Sequence, residues 1–197
     1  MKKLIELRLR ESADMLQRVI SDARLLGEIE KVAELAIAAY KAGNRILLAG
    51  NGGSAADAQH LAGEFVNRFL FDRPALSAIA LSTDSSVMTA VGNDSGFERV
   101  FARQVEANGS AGDVFFGFTT SGRSPNILRA MEACRKLGIA TVAFTGASGL
   151  ASPEICDRCI RVPATETPRI QEAHGVIGHI LCELIEAALF NPNAAFE

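Results

Sequence analysis

The sequence lacks the features of several protein classes. Only four of its 197 residues are cysteine, and Cys134, Cys156, Cys159 and Cys182 are spread along a chain long enough to fold without disulfide bonds, so we expect reduced thiols. No apolar run reaches the roughly 18 residues that span a bilayer, and charges interrupt the first eight residues. The sequence therefore predicts a cytoplasmic protein with no membrane span, membrane partner or signal peptide.

An excess of charge is also missing. Lys and Arg number 20 against 23 Asp and Glu, which gives a net charge of −3, and the basic residues do not cluster. This excludes the basic footprint of a nucleic-acid-binding protein, so we expect no nucleic acid partner. With 48% hydrophobic and 22% charged residues, the composition is that of a folded chain and not a disordered one.

Five short apolar runs with little alternation predict parallel strands that are covered on both faces. They span residues 45–49, 77–81, 114–118, 140–144 and 159–162. Helical patterns separate them at residues 54–71, 85–91, 97–107 and 124–137, and a last one covers 169–190. The pattern predicts one α/β domain over residues 1–197, a three-layer α/β/α sandwich around a five-stranded, flavodoxin-like sheet.

Two helical patterns, residues 4–26 and 28–42, precede the first strand and form an N-terminal extension over residues 1–43, ahead of the α/β core at 44–197. The first carries an apolar stripe that needs a partner surface. The stripe consists of Leu4, Leu7, Met15, Leu16, Val19, Ala23 and Leu26. It could pack on another subunit or on its own domain, and both alternatives stay open.

Two loops after predicted strands are suited to an anion. In the first, Asn51, Gly52, Gly53 and Ser54 form a glycine turn whose backbone amides open the next helix. It fits a dinucleotide-binding fingerprint only superficially, because the acidic residue expected about 20 positions later is missing. The second loop offers four hydroxyls around one glycine, and we interpret it as a phosphate site beyond ordinary helix capping. The hydroxyls are those of Thr119, Thr120, Ser121 and Ser124.

A further segment, residues 92–96, reads as a turn between two helical patterns. Its Asn93 and Asp94 could face the same pocket and hydrogen-bond a polyhydroxyl substrate, although turn chemistry alone also explains them.

Ionisable residues repeat at helical spacing in two places. His60, Glu64 and Arg68 form one stripe after the glycine turn, and Gln171 and His179 lie two turns apart on the last helix. His174 reads as a core or surface residue. Two His, one Glu and one Gln could bind Zn²⁺, but Gln is an unusual zinc ligand, so the residues alone leave the metal open. The single pair Cys156 and Cys159 predicts no zinc or redox site.

Four segments together resemble one known family. They read Gly50-Asn51-Gly52-Gly53-Ser54-Ala55-Ala56-Asp57-Ala58-Gln59-His60, Gly92-Asn93-Asp94, Thr120-Ser121-Gly122-Arg123-Ser124 and Arg169-Ile170-Gln171-Glu172. Spread over nearly the whole chain, they resemble the phosphoheptose isomerases of the sugar-isomerase (SIS) domain family. The first and last segments are specific, whereas the hydroxyl loop occurs in many SIS domains that bind phosphosugars.

The resemblance implies conversion of sedoheptulose 7-phosphate to D-glycero-D-manno-heptose 7-phosphate, the first step of bacterial heptose biosynthesis for lipopolysaccharide core or capsule. It implies a cytoplasmic homotetramer with one Zn²⁺ per subunit, held by His60, Glu64, Gln171 and His179. Glu64 and His179 match the acid/base pair. Matched substrate contacts are Asn51, Gly52, Gly53, Ser54, Glu64, Asn93, Asp94, Thr119, Thr120, Ser121, Ser124 and Gln171.

In the mechanism that the residue types suggest, Glu64 removes a proton next to the carbonyl to give a cis-enediol, and His179 is the partner acid. A Glu that coordinates zinc is a weaker base, so the metal's role stays open. Two alternatives belong to other classes: a non-catalytic SIS adaptor that binds the bacterial replication initiator protein, and a phosphosugar-sensing regulator. The presence of Glu64 and His179 favours the enzyme over the adaptor, and the missing DNA-binding segment disfavours the regulator.

Overall fold

The computed structural model describes residues 1–191 and shows alternating strands and helices after an N-terminal helix pair. In chain order the elements are α1 (Lys2–Ser21), α2 (Ala23–Lys41), β1 (Ile46–Ala49), α3 (Gly53–Val66), β2 (Ala78–Ala80), α4 (Ser85–Ser95), α5 (Val100–Asn108), β3 (Val114–Phe118), α6 (Pro125–Leu137), β4 (Ala140–Thr145), β5 (Arg158–Arg161) and α7 (Thr167–Phe190). Short 3₁₀ turns cover Phe97–Arg99 and Pro153–Ile155. The last six residues of the predicted domain lie outside the described residues.

The five strands form one parallel sheet in the order β2-β1-β3-β4-β5. Side chains alternate between its two faces, so Ile46 and Leu48 join a core with α1, α2, α3 and α7, while Leu47 and Ala49 join a second core with α5 and α6. The predicted three-layer α/β/α fold is confirmed. Strand order reverses between β1 and β3, and the loops after these strands therefore lie side by side at the switch point.

The predicted end of α1, the predicted start of α2 and the predicted end of α3 are wrong. The expected break near residue 27 lies at Asp22, whose carboxylate accepts hydrogen bonds from Arg24 N and Leu25 N and so caps α2. Helix α3 ends at Val66 and not at residue 71, which places Arg68 outside the stripe of His60 and Glu64. Apolar residues continue at roughly helical spacing beyond Val66, so this spacing alone does not mark the end of α3.

The turn predicted for residues 92–96 is also wrong for most of its length. Gly92, Asn93 and Asp94 belong to the last turn of α4, and the chain leaves the helix only at Gly96, where φ is +90°. Turn-forming residue types were overridden because Asp84 caps α4 through Val87 N and the helix packs on its neighbours. A Cβ on Gly92 would lie 3.9 Å from Val100, at ordinary contact distance.

Helices α1 and α7 are both apolar but differ in burial. In α1, Met15 and Val19 are buried, whereas Leu4 and Leu7 are exposed. Ala23 and Leu26, which lie on α2, are exposed as well, so only the middle of the predicted stripe packs on its own chain. Helix α7 is long and apolar enough to cross a bilayer, and it is the one such helix among the described residues. Half of its most apolar window is buried in the protein, as expected of a core helix that covers a sheet.

Candidate active site

The first anion loop joins β1 to α3 at the carboxyl edge of the sheet. Gly52 precedes α3 with φ +57°, a conformation that favours glycine, and Ser54 N donates to Asn51 O at 3.1 Å. A Cβ on Gly50 would collide with the Ser54 carbonyl, so the turn can close this tightly only with glycine. Gly52 and Gly53 are exposed at the start of α3, where the positive end of the helix dipole favours an anion.

The hydroxyl loop joins β3 to α6 and is tied together by its own side chains. Thr119 Oγ1 and Ser124 Oγ lie 2.9 Å apart, and Ser121 Oγ accepts a hydrogen bond from Arg123 N at 3.2 Å. Gly122 has φ +68°, and a Cβ there would overlap the carbonyl of Gly149 in the loop after β4. The hydroxyls of Thr119, Ser121 and Ser124 are thus held in place by bonds within the turn.

The two loops are joined by a reciprocal amide pair. Asn51 Nδ2 donates to Asn126 Oδ1 at 3.0 Å, and Asn126 Nδ2 donates to Asn51 Oδ1 at 2.8 Å. Asn126 is buried, and its Oδ1 also accepts from Ile127 N in the first turn of α6. The sequence reading missed Asn126, although a polar residue directly after Pro125 at the start of a helix is a usable signal.

A cavity of about 140 Å³ opens beside the hydroxyl loop. Thr120 and Ser121 line it on one side. Its lining also includes three hydroxyls that sequence reasoning missed, those of Ser148, Thr165 and Thr167. They follow β4 and β5 and reach this place because all parallel strands end at one edge of the sheet. The cavity is small and polar, and hydroxyl donors of this kind suit a phosphate group.

The second part of the candidate site is a cluster of His60, Glu64 and His179. The two imidazole Nε2 atoms lie 2.7 Å apart, and His60 Nε2 lies 3.6 Å from Glu64 Oε1. About half of the His60 side chain and a quarter of the Glu64 side chain are exposed, so solutes can reach the cluster. Parallel packing of α3 against α7 brings these groups together across 119 residues of sequence.

Gln171 lies closer to the start of α7 than His179 does, and it faces the start of α3. Its side chain packs against Gly53, and its Nε2 donates to Ser54 Oγ at 3.4 Å. His60 lies seven residues after Gly53 on α3, which corresponds to a rise of about 10 Å along the helix axis. The structure thus gathers three of the four residues matched to zinc ligands at one point and sets Gln171 against the glycine turn.

The three clustered side chains fit a zinc ion. Imidazole nitrogen and carboxylate oxygen are its usual ligands, and tetrahedral bonds of 2.0–2.1 Å place ligand atoms about 3.4 Å apart. The three donor atoms lie within 4.8 Å of one another, and the 2.7 and 3.6 Å separations bracket that spacing. Shifts of a few tenths of an ångström up to about 1 Å would bring all three onto one ion.

Other predicted residues lie elsewhere. Asn93 and Asp94 are exposed on α4 and hydrogen-bond to each other at 2.7 Å. His174 is fully buried and contacts Thr145 O at 3.3 Å, and burial lowers its pKa to about 4, so it is a core residue. All four cysteines are free, and burial raises the pKa of Cys156 to about 12, which argues against a reactive thiol pair.

Sequence reasoning also missed Asp57, one turn before His60 on α3. Its Oδ2 atom is buried with no hydrogen-bond partner within the described chain, and burial raises the pKa of this carboxyl while nearby His60 lowers it. Its position on the same helix face as His60 was available from helical spacing.

Comparison with known proteins agrees with the geometry. A family model described as SIS domain matches residues 9–146. The chain is 55% identical to a phosphoheptose isomerase of Aneurinibacillus thermoaerophilus over 96% of both chains, and 57% identical to phosphoheptose isomerase 2 of Campylobacter jejuni over 88% of this chain and 87% of that one. A solved phosphoheptose isomerase from Francisella tularensis superposes with a TM-score of 0.86 at 36% identity, covering 94% of this chain and 98% of that one.

These relatives are matched over 87% or more of both chains, and they share one name. The chain belongs to the phosphoheptose isomerases of the SIS domain family.

Proposed function

We propose that this chain interconverts sedoheptulose 7-phosphate and D-glycero-D-manno-heptose 7-phosphate, with Glu64 as base and His179 as acid. The observation that carries the assignment of roles is the convergence of these two side chains from the separate helices α3 and α7. The non-catalytic adaptor is not favoured, because relatives named phosphoheptose isomerase match almost the whole chain.

In this proposal the two loops bind the phosphate end of the substrate, and the cluster of His60, Glu64 and His179 faces the other end. The hydroxyls of Thr120, Ser121 and Ser124, with the amides at the start of α6, hold the phosphate at one end of the sugar. The glycine turn of Asn51, Gly52, Gly53 and Ser54 connects with both sides, because Asn51 bonds to Asn126 at the start of α6 and Ser54 accepts a hydrogen bond from Gln171 on α7. This arrangement directs the other end of an open-chain sugar toward α3 and α7.

In the proposed reaction Glu64 takes a proton from C1 of the ketose, the electron pair of that C–H bond becomes the C1=C2 bond, and the C2=O pair moves to the C2 oxygen, which gives the anion of a cis-enediol. The C1 hydroxyl proton passes to the C2 oxygen, and His179 delivers a proton to C2, which leaves the C1 aldehyde. Glu64 and His179 then exchange protons with water and return to their starting forms. No atom is gained or lost, as an isomerisation requires.

We propose His60, Glu64 and His179 as ligands of one Zn²⁺ per chain, with Gln171 as a fourth ligand if its side chain turns away from Gly53. When bound, the ion would polarise the sugar carbonyl. His60 holds the imidazole of His179 within 2.7 Å in the described structure, which keeps both rings aimed at a single point.

We also propose a cytoplasmic homotetramer. Support comes from large apolar side chains that the single chain leaves exposed on α1 and, near the cluster, on α7. They are Leu4, Ile5, Leu7, Leu9, Val176 and Ile180. Subunit packing over these residues would also shield Glu64 and His179 from water.

The test is aldose formation from sedoheptulose 7-phosphate, followed by NMR. We expect Glu64→Gln and His179→Gln each to lower kcat about 100-fold or more, with little change in unfolding temperature, because each removes one proton-transfer group. Glu183→Gln, an exposed carboxylate on α7, is the matched control and should keep wild-type kcat. Wild-type rates in folded Glu64 and His179 variants would overturn the assignment.

A further inference from the structure

A buried ion pair joins the end of α3 to α7. Arg73 Nε donates to Glu186 Oε1 at 2.8 Å, and their side chains are only 2% and 1% exposed. The same carboxylate accepts hydrogen bonds from Phe69 N at 2.9 Å and Leu70 N at 2.8 Å. These bonds hold the pKa of Glu186 below its ordinary value against the opposing effect of burial.

The remaining bonds of Arg73 go to backbone carbonyls. Its two terminal nitrogens donate to Glu64 O, Phe65 O and Pro74 O, at 2.8, 2.8 and 3.0 Å. Helix α3 ends at Val66, so the carbonyls of Glu64 and Phe65 lie in the last turn, where intrahelical partners are missing. The guanidinium therefore caps the very turn that carries the Glu64 side chain.

Glu186 is placed to transmit this contact to α7. It follows His179 by seven residues, which returns to nearly the same face of the helix about 10 Å further along. Phe69 connects the two levels, because its backbone donates to Glu186 while its ring packs 5.4 Å from the His179 ring, centroid to centroid. The ion pair thus joins α3 and α7 directly beyond the cluster of His60, Glu64 and His179.

Stability alone does not account for such a pair, since desolvation of two charges commonly offsets their attraction and a well-packed apolar pair would serve as well. What an apolar pair could not supply is the set of directed bonds to Glu64 O, Phe65 O, Phe69 N and Leu70 N. Those bonds fix the end of α3 in position and rotation relative to α7.

We propose that Arg73 and Glu186 are positioning residues that set the separation of Glu64 from His60 and His179. In its catalytic consequence the proposal rests on the proposed roles of Glu64 and His179. Neither residue is assigned a contact with substrate; both act through the backbone and packing of α3 and α7.

Two variants separate this role from general stability. Glu186→Gln keeps the shape but removes the charge, and Arg73→Lys keeps the charge but loses the forked bonds to Glu64 O and Phe65 O. Asp113→Asn is the matched control: Asp113 is also a buried carboxylate, it accepts from Arg45 N and Ser110 N, and it pairs with Arg45 at the opposite edge of the sheet.

The direct readout is the imidazole NMR spectrum of the full-length chain at one fixed pH, with and without Zn²⁺. The chain has only three histidines, so His60→Gln and His179→Gln assign every signal. We expect Glu186→Gln and Arg73→Lys to shift the His60 and His179 signals, leave His174 unchanged, and weaken Zn²⁺ affinity about 10-fold. In turnover, kcat should fall about 10-fold or more with KM nearly unchanged.

Asp113→Asn should lower the unfolding temperature without any of these changes. If folded Glu186→Gln and Arg73→Lys proteins keep wild-type His60 and His179 signals and Zn²⁺ affinity, the positioning role is wrong, whatever their stability. If Glu186→Gln does not fold, Arg73→Lys decides alone. A wild-type protein that does not convert sedoheptulose 7-phosphate would overturn the proposed function, and the imidazole spectra would still decide the positioning role.

Discussion

The two halves of the candidate site are built differently. At the sheet edge, the glycine turn and the hydroxyl loop are fixed by local turns and by the Asn51 and Asn126 pair, and Ser54 and Thr119 are only 4% and 2% exposed. At the helix pair, the side chains of His60 and Glu64 are exposed to 52% and 25%. The structure therefore combines a preformed edge of two loops with an accessible cluster of ionisable side chains.

This contrast has a physical reason. A phosphate is the same at the start and the end of an isomerisation, so its site can be rigid, and rigidity lowers the entropic cost of binding. Proton transfer needs groups that approach different atoms in turn, and a metal would draw the same side chains together. The fixed edge and the adjustable cluster suit these two tasks.

Among substitutions in the loops at the sheet edge, we expect the largest effect at Gly122. In Gly122→Ala the new Cβ would collide with the Gly149 carbonyl while φ stays at +68°, so we expect a loss of about 3 kcal/mol or more in the free energy of unfolding and a marked rise in KM. Denaturant unfolding and initial rates measure both.

Gly43→Ala is the matched control for this substitution. Gly43 has φ +81° but open space around it, so it carries the backbone strain without the collision and should lose only about 1 kcal/mol. Equal losses at the two positions would mean that the contact between Gly122 and Gly149 does not hold the loop.

His174 links the two halves, because it lies on α7 and contacts Thr145 O at the end of β4. Its pKa falls from 6.5 to about 4 on burial, so unfolding takes up a proton between these pH values. Stability should therefore be complete above pH 6.5 and decrease by about 3 kcal/mol as the pH falls to about 4.

Denaturant unfolding across that pH range, for the wild-type chain and for His174→Leu, tests this prediction. The variant should lose most of the slope between pH 6.5 and 4, because it has no ring to protonate there. An unchanged slope in the variant would assign the acid sensitivity to other groups.

The smallest effect is expected at the amide pair. Asn126→Ala removes both bonds to Asn51 and leaves Ile127 N without its side-chain acceptor, so we expect a loss of about 1 to 2 kcal/mol and a higher KM at nearly constant kcat. Asn108→Ala, an exposed amide that bonds within α5, should change neither kinetic constant. A fall in kcat for Asn126→Ala would mean that the loops also position the proton-transfer groups.

Much of the fold was predictable, for identifiable reasons. The three central strands β1, β3 and β4 are short runs of residues buried on both faces, which leaves a contiguous apolar signal. The edge strands β2 and β5 are only partly buried, yet all five predicted strands match to within a residue or two. The errors lie where weak signals competed. Asp22 outweighed Gly27 as the boundary of α2, and the Gly92-Asn93-Asp94 segment stayed helical despite its turn-forming composition.

In the candidate site, too, the features with a clear local signal were predictable and the long-range contacts were not. Glycine and hydroxyl residues in the two loops determine their turn conformations locally, so the sequence by itself predicted both. Arg73 lies beyond the end of α3 in an irregular segment, and nothing local indicates that it reaches Glu64 O and Glu186. The structure was likewise needed to identify the residues that lie near the two loops, Asn126, Ser148, Thr165 and Thr167.

The sequence alone therefore determined the α/β fold, the two anion loops and the residue types available for proton transfer, because these depend on periodicity and on turn chemistry within a few residues. Only the tertiary structure decided that His60 and His179 meet at 2.7 Å and that Gln171 rests on Gly53. It alone also revealed the buried ion pair at the end of α3. Such contacts join segments more than a hundred residues apart, and their distances follow from how α3 and α7 pack on one sheet.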